Sequence, residues 1–245
     1  KNCRTYMKKI LILGAGLSSS SLISYLLDRS SKYDWKIIVG DKDLNLVKKK
    51  VNGNPNGESF EFDVFNAQQR AEKIKEVDVV ISMLPAKMHY LVAEDCVKFG
   101  KHMVTASYVS DEIKKLDKEA KKKGILLLNE VGVDPGIDHM SAMQIIDRIK
   151  NLGGKITSFD SNTGGLVAPE FDNNPWQYKF TWNPRNVVVA GQGVSRFLHH
   201  GQFKYIPYHN LFRRVERETV LDVSEFEVYP NRDSLKYIEL YGKRN

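Results

Sequence analysis

Between Lys8 and about Asn151, short apolar runs alternate with stretches of helical spacing, and this alternation leaves few architectures open. Lys9–Leu13 (KILIL) is almost wholly apolar and closes on Gly14, the pattern of a central parallel strand covered on both faces. Leu22, Ile23, Leu26 and Leu27 then recur at helical spacing. Further strands are expected at Trp35–Val39, Ser59–Phe62, Val77–Ser82, His102–Thr105 and Ile125–Leu128. Helices are expected around Lys48, from a cap at Asn66 through Lys75, from Met88 to Phe99, and from a cap at Ser110 to just before Gly124. Six strands separated by five helices predict an α/β fold, a doubly wound parallel (Rossmann-like) sheet with right-handed crossovers.

After Gly153-Gly154 the texture changes. Aromatics become dense at Trp176, Tyr178, Phe180 and Trp182, and alternating runs occupy Thr219–Val228 and Lys236–Leu240. These predict a second α/β domain with an antiparallel or mixed sheet. The expected division is residues 1–138 for the parallel-sheet domain and 139–245 for the second domain.

Composition narrows the classes further. Apolar content of 42% and charged content of 27% are those of a globular chain able to bury a core. No apolar run approaches the roughly 20 residues that span a bilayer, and the first residues lack the apolar core of a signal peptide. Cys3 and Cys96 make no metal or redox spacing, so a reduced, cytoplasmic setting is expected. The net charge of +7 raises nucleic acid as a partner, but the lysines cluster on helices where acids alternate with them, as in Asp111–Glu119. Solvated helix faces are the better reading, and an excess of positive charge also suits anionic cofactors and carboxylate substrates. The six histidines show no zinc spacing, so no metal is expected. His139, at the start of an apolar helix, reads as structural, and His199-His200 as a helix-end pair. No Gly-x-Ser-x-Gly elbow marks a hydrolase.

Gly14-Ala15-Gly16-Leu17-Ser18-Ser19 follows a strand and opens a helix, the context that a dinucleotide fingerprint requires. The glycines permit a tight turn and bring the pyrophosphate to backbone N–H groups at the helix N-terminus. Ser19 stands in place of the third glycine, and the hydroxyls of Ser18 to Ser21 are candidate phosphate donors. Asp41 ends the second strand, where a carboxylate accepts ribose hydroxyls and favours NAD. Lys42, next to it, offers a point charge to a 2′-phosphate, so NADP is the alternative. Beyond the carboxyl ends of the later strands lie Met83-Leu84-Pro85, Ala106-Ser107-Tyr108 and Val133-Asp134-Pro135, which should converge around the nicotinamide. Asp134 is the acid/base candidate, with a plain Asp-Pro-Gly turn as the rival reading.

Three runs carry a more specific signal: Asn129–His139 (NEVGVDPGIDH), Gly164–Glu170 (GGLVAPE) and Asn174–Trp182 (NPWQYKFTW). With the nucleotide-binding opening, they make the chain from about Met7 to Arg232 resemble the saccharopine reductase family, the glutamate-forming saccharopine dehydrogenases. That resemblance implies cofactor contacts at Asp63, Val64, Ala106, Ser107, Val133, Asp134 and Pro135. It implies amino-acid substrate contacts at Ser107, Tyr108, Asp134 and Arg232, the last a carboxylate clamp. Members that use NADP carry arginine where this chain has Lys42, and close relatives often carry cysteine where it has Thr163.

The implied reaction is imine reduction: 2-aminoadipate semialdehyde condenses with glutamate, and hydride from the nicotinamide gives saccharopine. A carboxynorspermidine dehydrogenase-like imine reductase and a catalytically silent dinucleotide-binding protein are the alternatives. The expected partners are a small amino-acid substrate and a second copy of the chain, with no nucleic acid and no membrane. Family members continue beyond the last residue here, so the second domain, which the resemblance makes a substrate and dimerisation domain, is expected to be incomplete and imine reduction weak or absent.

Overall fold

The computed structural model describes residues 7–181, 183–190 and 192–242. Cys3 and Trp182 lie outside the described residues. The chain divides into two compact units at Met140–Ser141.

The first unit is the strand–helix alternation. Its strands are β1 (Lys8–Leu13), β2 (Trp35–Asp41), β3 (Gly57–Glu61), β4 (Val79–Ser82), β5 (His102–Thr105) and β6 (Leu127–Leu128). All pair in parallel, in the order β3-β2-β1-β4-β5-β6. The order reverses between β1 and β4, and a crevice opens there beyond the carboxyl ends of the strands. Helices α1 (Ser20–Tyr33), α2 (Leu44–Val51), α3 (Ala67–Lys75) and α4 (His89–Phe99) make the crossovers.

The wholly apolar character of β1 follows from its position. Ile10 and Ile12 pack on one face with Ile23, Leu26 and Leu27 of α1, while Leu11 and Leu13 pack on the other with Val92, Ala93 and Cys96 of α4. Successive side chains of a strand point to opposite faces, so a strand covered on both must be apolar throughout. Each such side chain contributes about 1.5–3 kcal/mol when fully buried.

Local signals start the helices where the sequence places them. The Asn66 side chain accepts the Gln69 amide at the head of α3, and Ser110 accepts the Ile113 amide. The Ser110 helix does not continue unbroken, however. It forms two short pieces, α5 (Asp111–Lys115) and α6 (Asp117–Lys122), parted at Leu116.

The second unit contains most of α7 (Ile137–Asn151), then α8 (Pro184–Ala190), β7 (Ser195–His199), β8 (Gln202–Ile206), β9 (Glu216–Val220), β10 (Ser224–Val228) and α9 (Leu235–Gly242). Its strands form two separate antiparallel hairpins, β7–β8 and β9–β10, rather than one mixed sheet. The expected strand at Lys236–Leu240 is the helix α9. Asp233 accepts the Leu235 amide where that helix begins, and Tyr237 stacks on Tyr241 one turn later, at 5.6 Å between ring centroids. His199 ends a strand and His200 occupies the turn after it with φ 48°, so neither stands at a helix end.

Candidate functional site

The dinucleotide site is built from the loop after β1. Gly14 has φ +104°, and a Cβ there would lie 2.7 Å from the Met83 carbonyl oxygen, so only glycine lets the loop after β4 approach this closely. A Cβ on Gly16 would meet nothing within 4 Å, which leaves open space over the loop where it enters α1. The short turn Leu17–Ser19 leads into that helix, whose N-terminal end favours an anion. These features fit a dinucleotide pyrophosphate.

Two of the four serines act differently from expectation. Ser19 is buried and its hydroxyl donates to the Gly16 carbonyl at 2.9 Å, while Ser20 donates to Leu17 at 3.2 Å. Both hydroxyls close the local turn, whereas Ser18 is exposed.

Asp41 also has a structural task. Its Oδ2 accepts the Ala15 amide at 2.6 Å and its Oδ1 the Asp43 amide at 3.1 Å. The carboxylate expected to serve a ribose thus ties the fingerprint loop to the end of β2. Lys42 extends to Asp63, 3.8 Å away, and over the Phe65 ring. Asp63 accepts the Phe65 amide, and the buried Val64 gives its carbonyl to Arg70. A cation that sequence reasoning passed over, Lys50 of α2, donates to the Gly16 carbonyl at 2.6 Å.

On the far side of the switch point, the loops after β4, β5 and β6 bring Leu84, Ala106, Ser107, Tyr108, Val133, Asp134 and Pro135 into one unit. The Glu130 amide donates to the Ser107 carbonyl, and the Glu130 carboxylate accepts the Val109 amide, which fixes the last two loops together. Tyr108 Oη donates to Asp134 Oδ1 at 2.7 Å. Gly136, held at φ +151° with its backbone against Gly132, makes the tight turn that aims Asp134 outward. Asp134 is exposed, while Pro135 behind it is buried. A carboxylate held at one oxygen by a phenol keeps its second oxygen for a proton in transit.

Beneath these loops lies the buried His89, the first residue of α4 and 2% exposed. Its Nδ1 lies 2.8 Å from the Ser82 hydroxyl and its Nε2 2.8 Å from that of Ser107. Burial lowers its pKa to about 4, so the ring is neutral at ordinary pH. The signal in the sequence was weak: Ser82 and Thr105, polar residues that end their strands.

Arg232 belongs to the second unit, in the loop before α9, where its backbone carbonyl accepts the Arg196 amide at 2.7 Å. Of the aromatic run, Trp176 is 86% exposed, and Tyr178 packs edge-on against Phe180. Trp176 is therefore not a core residue of this unit. Among the described residues no group of histidines, cysteines and acids could hold a metal ion, and no helix is long and apolar enough to cross a membrane.

Comparison with known proteins identifies the family. A solved structure of apo saccharopine dehydrogenase (L-Glu forming) from Saccharomyces cerevisiae superposes with a TM-score of 0.88 at 31% identity, covering 97% of this chain and 52% of that one. An alpha-aminoadipic semialdehyde synthase of Arabidopsis thaliana is 40% identical over 95% of the chain and 24% of its own length. Saccharopine dehydrogenase [NADP(+), L-glutamate-forming] of Schizosaccharomyces pombe is 37% identical over 96% of the chain and 52% of its own. The chain therefore spans from about a quarter to about half of the length of these relatives. The saccharopine dehydrogenase NADP binding domain matches residues 10–128, and the saccharopine dehydrogenase C-terminal domain matches residues 132–244. With the two models following one another along nearly its whole length, the chain belongs to the saccharopine dehydrogenase family.

Proposed function

We propose that this chain contributes to the interconversion of saccharopine with 2-aminoadipate semialdehyde and glutamate, with NADP(H) as the cofactor. The observation that carries the reading is the Tyr108–Asp134 hydrogen bond at the mouth of β5 and β6. It holds a carboxylate beyond the strand ends, where a substrate amine would lie against a nicotinamide. The bound cofactor supplies hydride to the imine carbon, or accepts it from the saccharopine carbon in reverse.

The residues of the chain do the rest. Backbone amides at the head of α1 hold the pyrophosphate, and the loops after β4, β5 and β6 orient the ring. Asp134 takes the proton from the saccharopine nitrogen in the oxidative direction and returns one to the leaving glutamate nitrogen when water opens the imine. Arg232 clamps a substrate carboxylate with two parallel hydrogen bonds.

NADP(H) is preferred here to the NAD(H) expected from Asp41. Both oxygens of Asp41 accept backbone amides, so the reason for expecting NAD is weakened, and relatives are named for NADP(+). A following of reduced-cofactor absorbance with saccharopine and NADP⁺ tests the proposal. Saccharopine-dependent reduction supports it; turnover only with a diamine-derived imine, or none with any amino acid, would overturn it.

A further inference from the structure

The last turn of α2 carries three successive lysines, Lys48, Lys49 and Lys50. Lys48 and Lys49 are exposed, as suits cations at a helix C-terminus. Lys50 is turned inward. Its Nζ donates to the Gly16 carbonyl at 2.6 Å and lies 3.4 Å from the Ser19 hydroxyl, both in the fingerprint turn. Burial lowers its pKa, and the negative charge of Asp41 opposes that shift. A cation thus stands between the loop after β1 and the carboxylate ending β2.

That location has a meaning in a doubly wound sheet. The adenosine ribose of a bound dinucleotide lies between the glycine loop and the end of the second strand. A 2′-phosphate there brings strong negative charge beside Asp41, and needs a cation close by. Two lysines are candidates. Lys42 follows Asp41 directly, but its ammonium extends toward Asp63 and the Phe65 ring, beyond β3. Lys50 approaches from the glycine loop itself. An ammonium has three donors, so one remains for a phosphate oxygen even with Gly16 and Ser19 engaged.

We propose that Lys50, more than Lys42, is the residue that recognises the 2′-phosphate of NADP(H) in this chain. The assignment rests on the reading of NADP(H) as the cofactor. It also explains how a chain with an acid at the end of β2 accommodates a phosphorylated ribose: Asp41 is bound to backbone amides, and Lys50 offsets its charge.

The rival role for Lys50 is to brace the loop. The two separate in binding measurements, because NADH and NADPH share the pyrophosphate and differ only at the 2′ position. Isothermal titration of NADPH and NADH into the wild type, Lys50→Ala, Lys50→Arg and Lys42→Ala gives the comparison, with thermal melts to verify folding. Loss of one charge-assisted hydrogen bond should weaken NADPH about 10- to 100-fold in Lys50→Ala. NADH should stay within about threefold, and Lys50→Arg should keep most of the NADPH affinity, if one charge-assisted contact is what counts. Lys42→Ala should lose less than Lys50→Ala. Equal weakening of both cofactors would make Lys50 a loop brace and overturn the assignment. An NADPH preference that survives Lys50→Ala would overturn it alone, leaving the cofactor reading intact. A wild type that prefers NADH would remove both.

Discussion

The Nε2 of His89 lies 2.8 Å from the Ser107 hydroxyl, and this contact links the buried end of α4 to the crevice. A neutral imidazole donates at one nitrogen and accepts at the other. If Nδ1 donates to Ser82, Nε2 accepts the Ser107 proton and Ser107 shows only lone pairs to a ligand. In the other tautomer Ser107 keeps its proton to donate. His89 thereby sets the hydrogen-bonding sense of a residue expected to meet both cofactor and substrate.

His89→Asn and His89→Gln should therefore differ. The asparagine amide reaches the Nδ1 position and keeps Ser82; the longer glutamine reaches the Nε2 position and keeps Ser107. We expect kcat/KM to fall about tenfold in the asparagine variant and markedly less in the glutamine variant, from loss of one hydrogen bond. Steady-state kinetics with parallel melts would test it, and equal losses in both variants would show that Ser107 is not oriented through the ring.

The same residue predicts a pH dependence of stability. The His89 pKa falls from 6.5 to about 4 on folding, because burial disfavours the charged ring. As pH drops below about 6.5 the unfolded chain takes up the proton first. Stability is complete above that pH and is lost as pH falls through the folded value, by about 3 kcal/mol in all. Denaturant titrations between about pH 7.5 and 4 should show this slope in the wild type. His89→Leu should flatten it, and an unchanged slope in that variant would trace the loss to other groups.

A third expectation concerns Arg70, whose Nε lies 2.6 Å from Asp95 Oδ2 with both residues buried. Its guanidinium also donates to the Val64 carbonyl, in the loop expected to meet the cofactor. Arg70→Met leaves the Asp95 charge buried and alone, which costs about 3–5 kcal/mol. Arg70→Met with Asp95→Leu should recover much of that. Urea unfolding of the single and double variants is the measurement, and a double variant no more stable than the single would refute the charge-pair account.

Much of this architecture was legible because β1, β2 and β4 are covered on both faces, and their apolar runs declare it. Asn66 and Ser110 announced their helices because capping is local chemistry. The misreadings share a cause. Lys236–Leu240 alternates like a strand, but an Asp233 cap and a Tyr237–Tyr241 stack one turn apart favour helix. Asp41 looked available to a ribose because no pattern in the sequence reveals the Ala15 amide, 26 residues earlier, that it accepts. Lys50 and His89 stayed hidden for the same reason: each acts through a residue 34 or 18 positions away. Tertiary contacts of single polar groups leave no periodicity to read.

The Tyr108–Asp134 pair supports the last prediction. Asp134→Asn nearly preserves shape and can still accept the Tyr108 proton, but it cannot serve as a base. Turnover should fall about 100-fold or more while NADPH affinity changes little. Tyr108→Phe removes the bond that holds Oδ1 at 2.7 Å and lets the carboxylate swing, so turnover should fall about tenfold. If Tyr108 acts by positioning Asp134, it has nothing left to position once the carboxylate is gone. The double variant should then be no slower than Asp134→Asn, because two residues working as one unit are not additive. Turnover and cofactor titration on all three variants decide it. Losses that multiply would give Tyr108 an independent role at the substrate, and a fully active Asp134→Asn would remove the carboxylate from the chemistry.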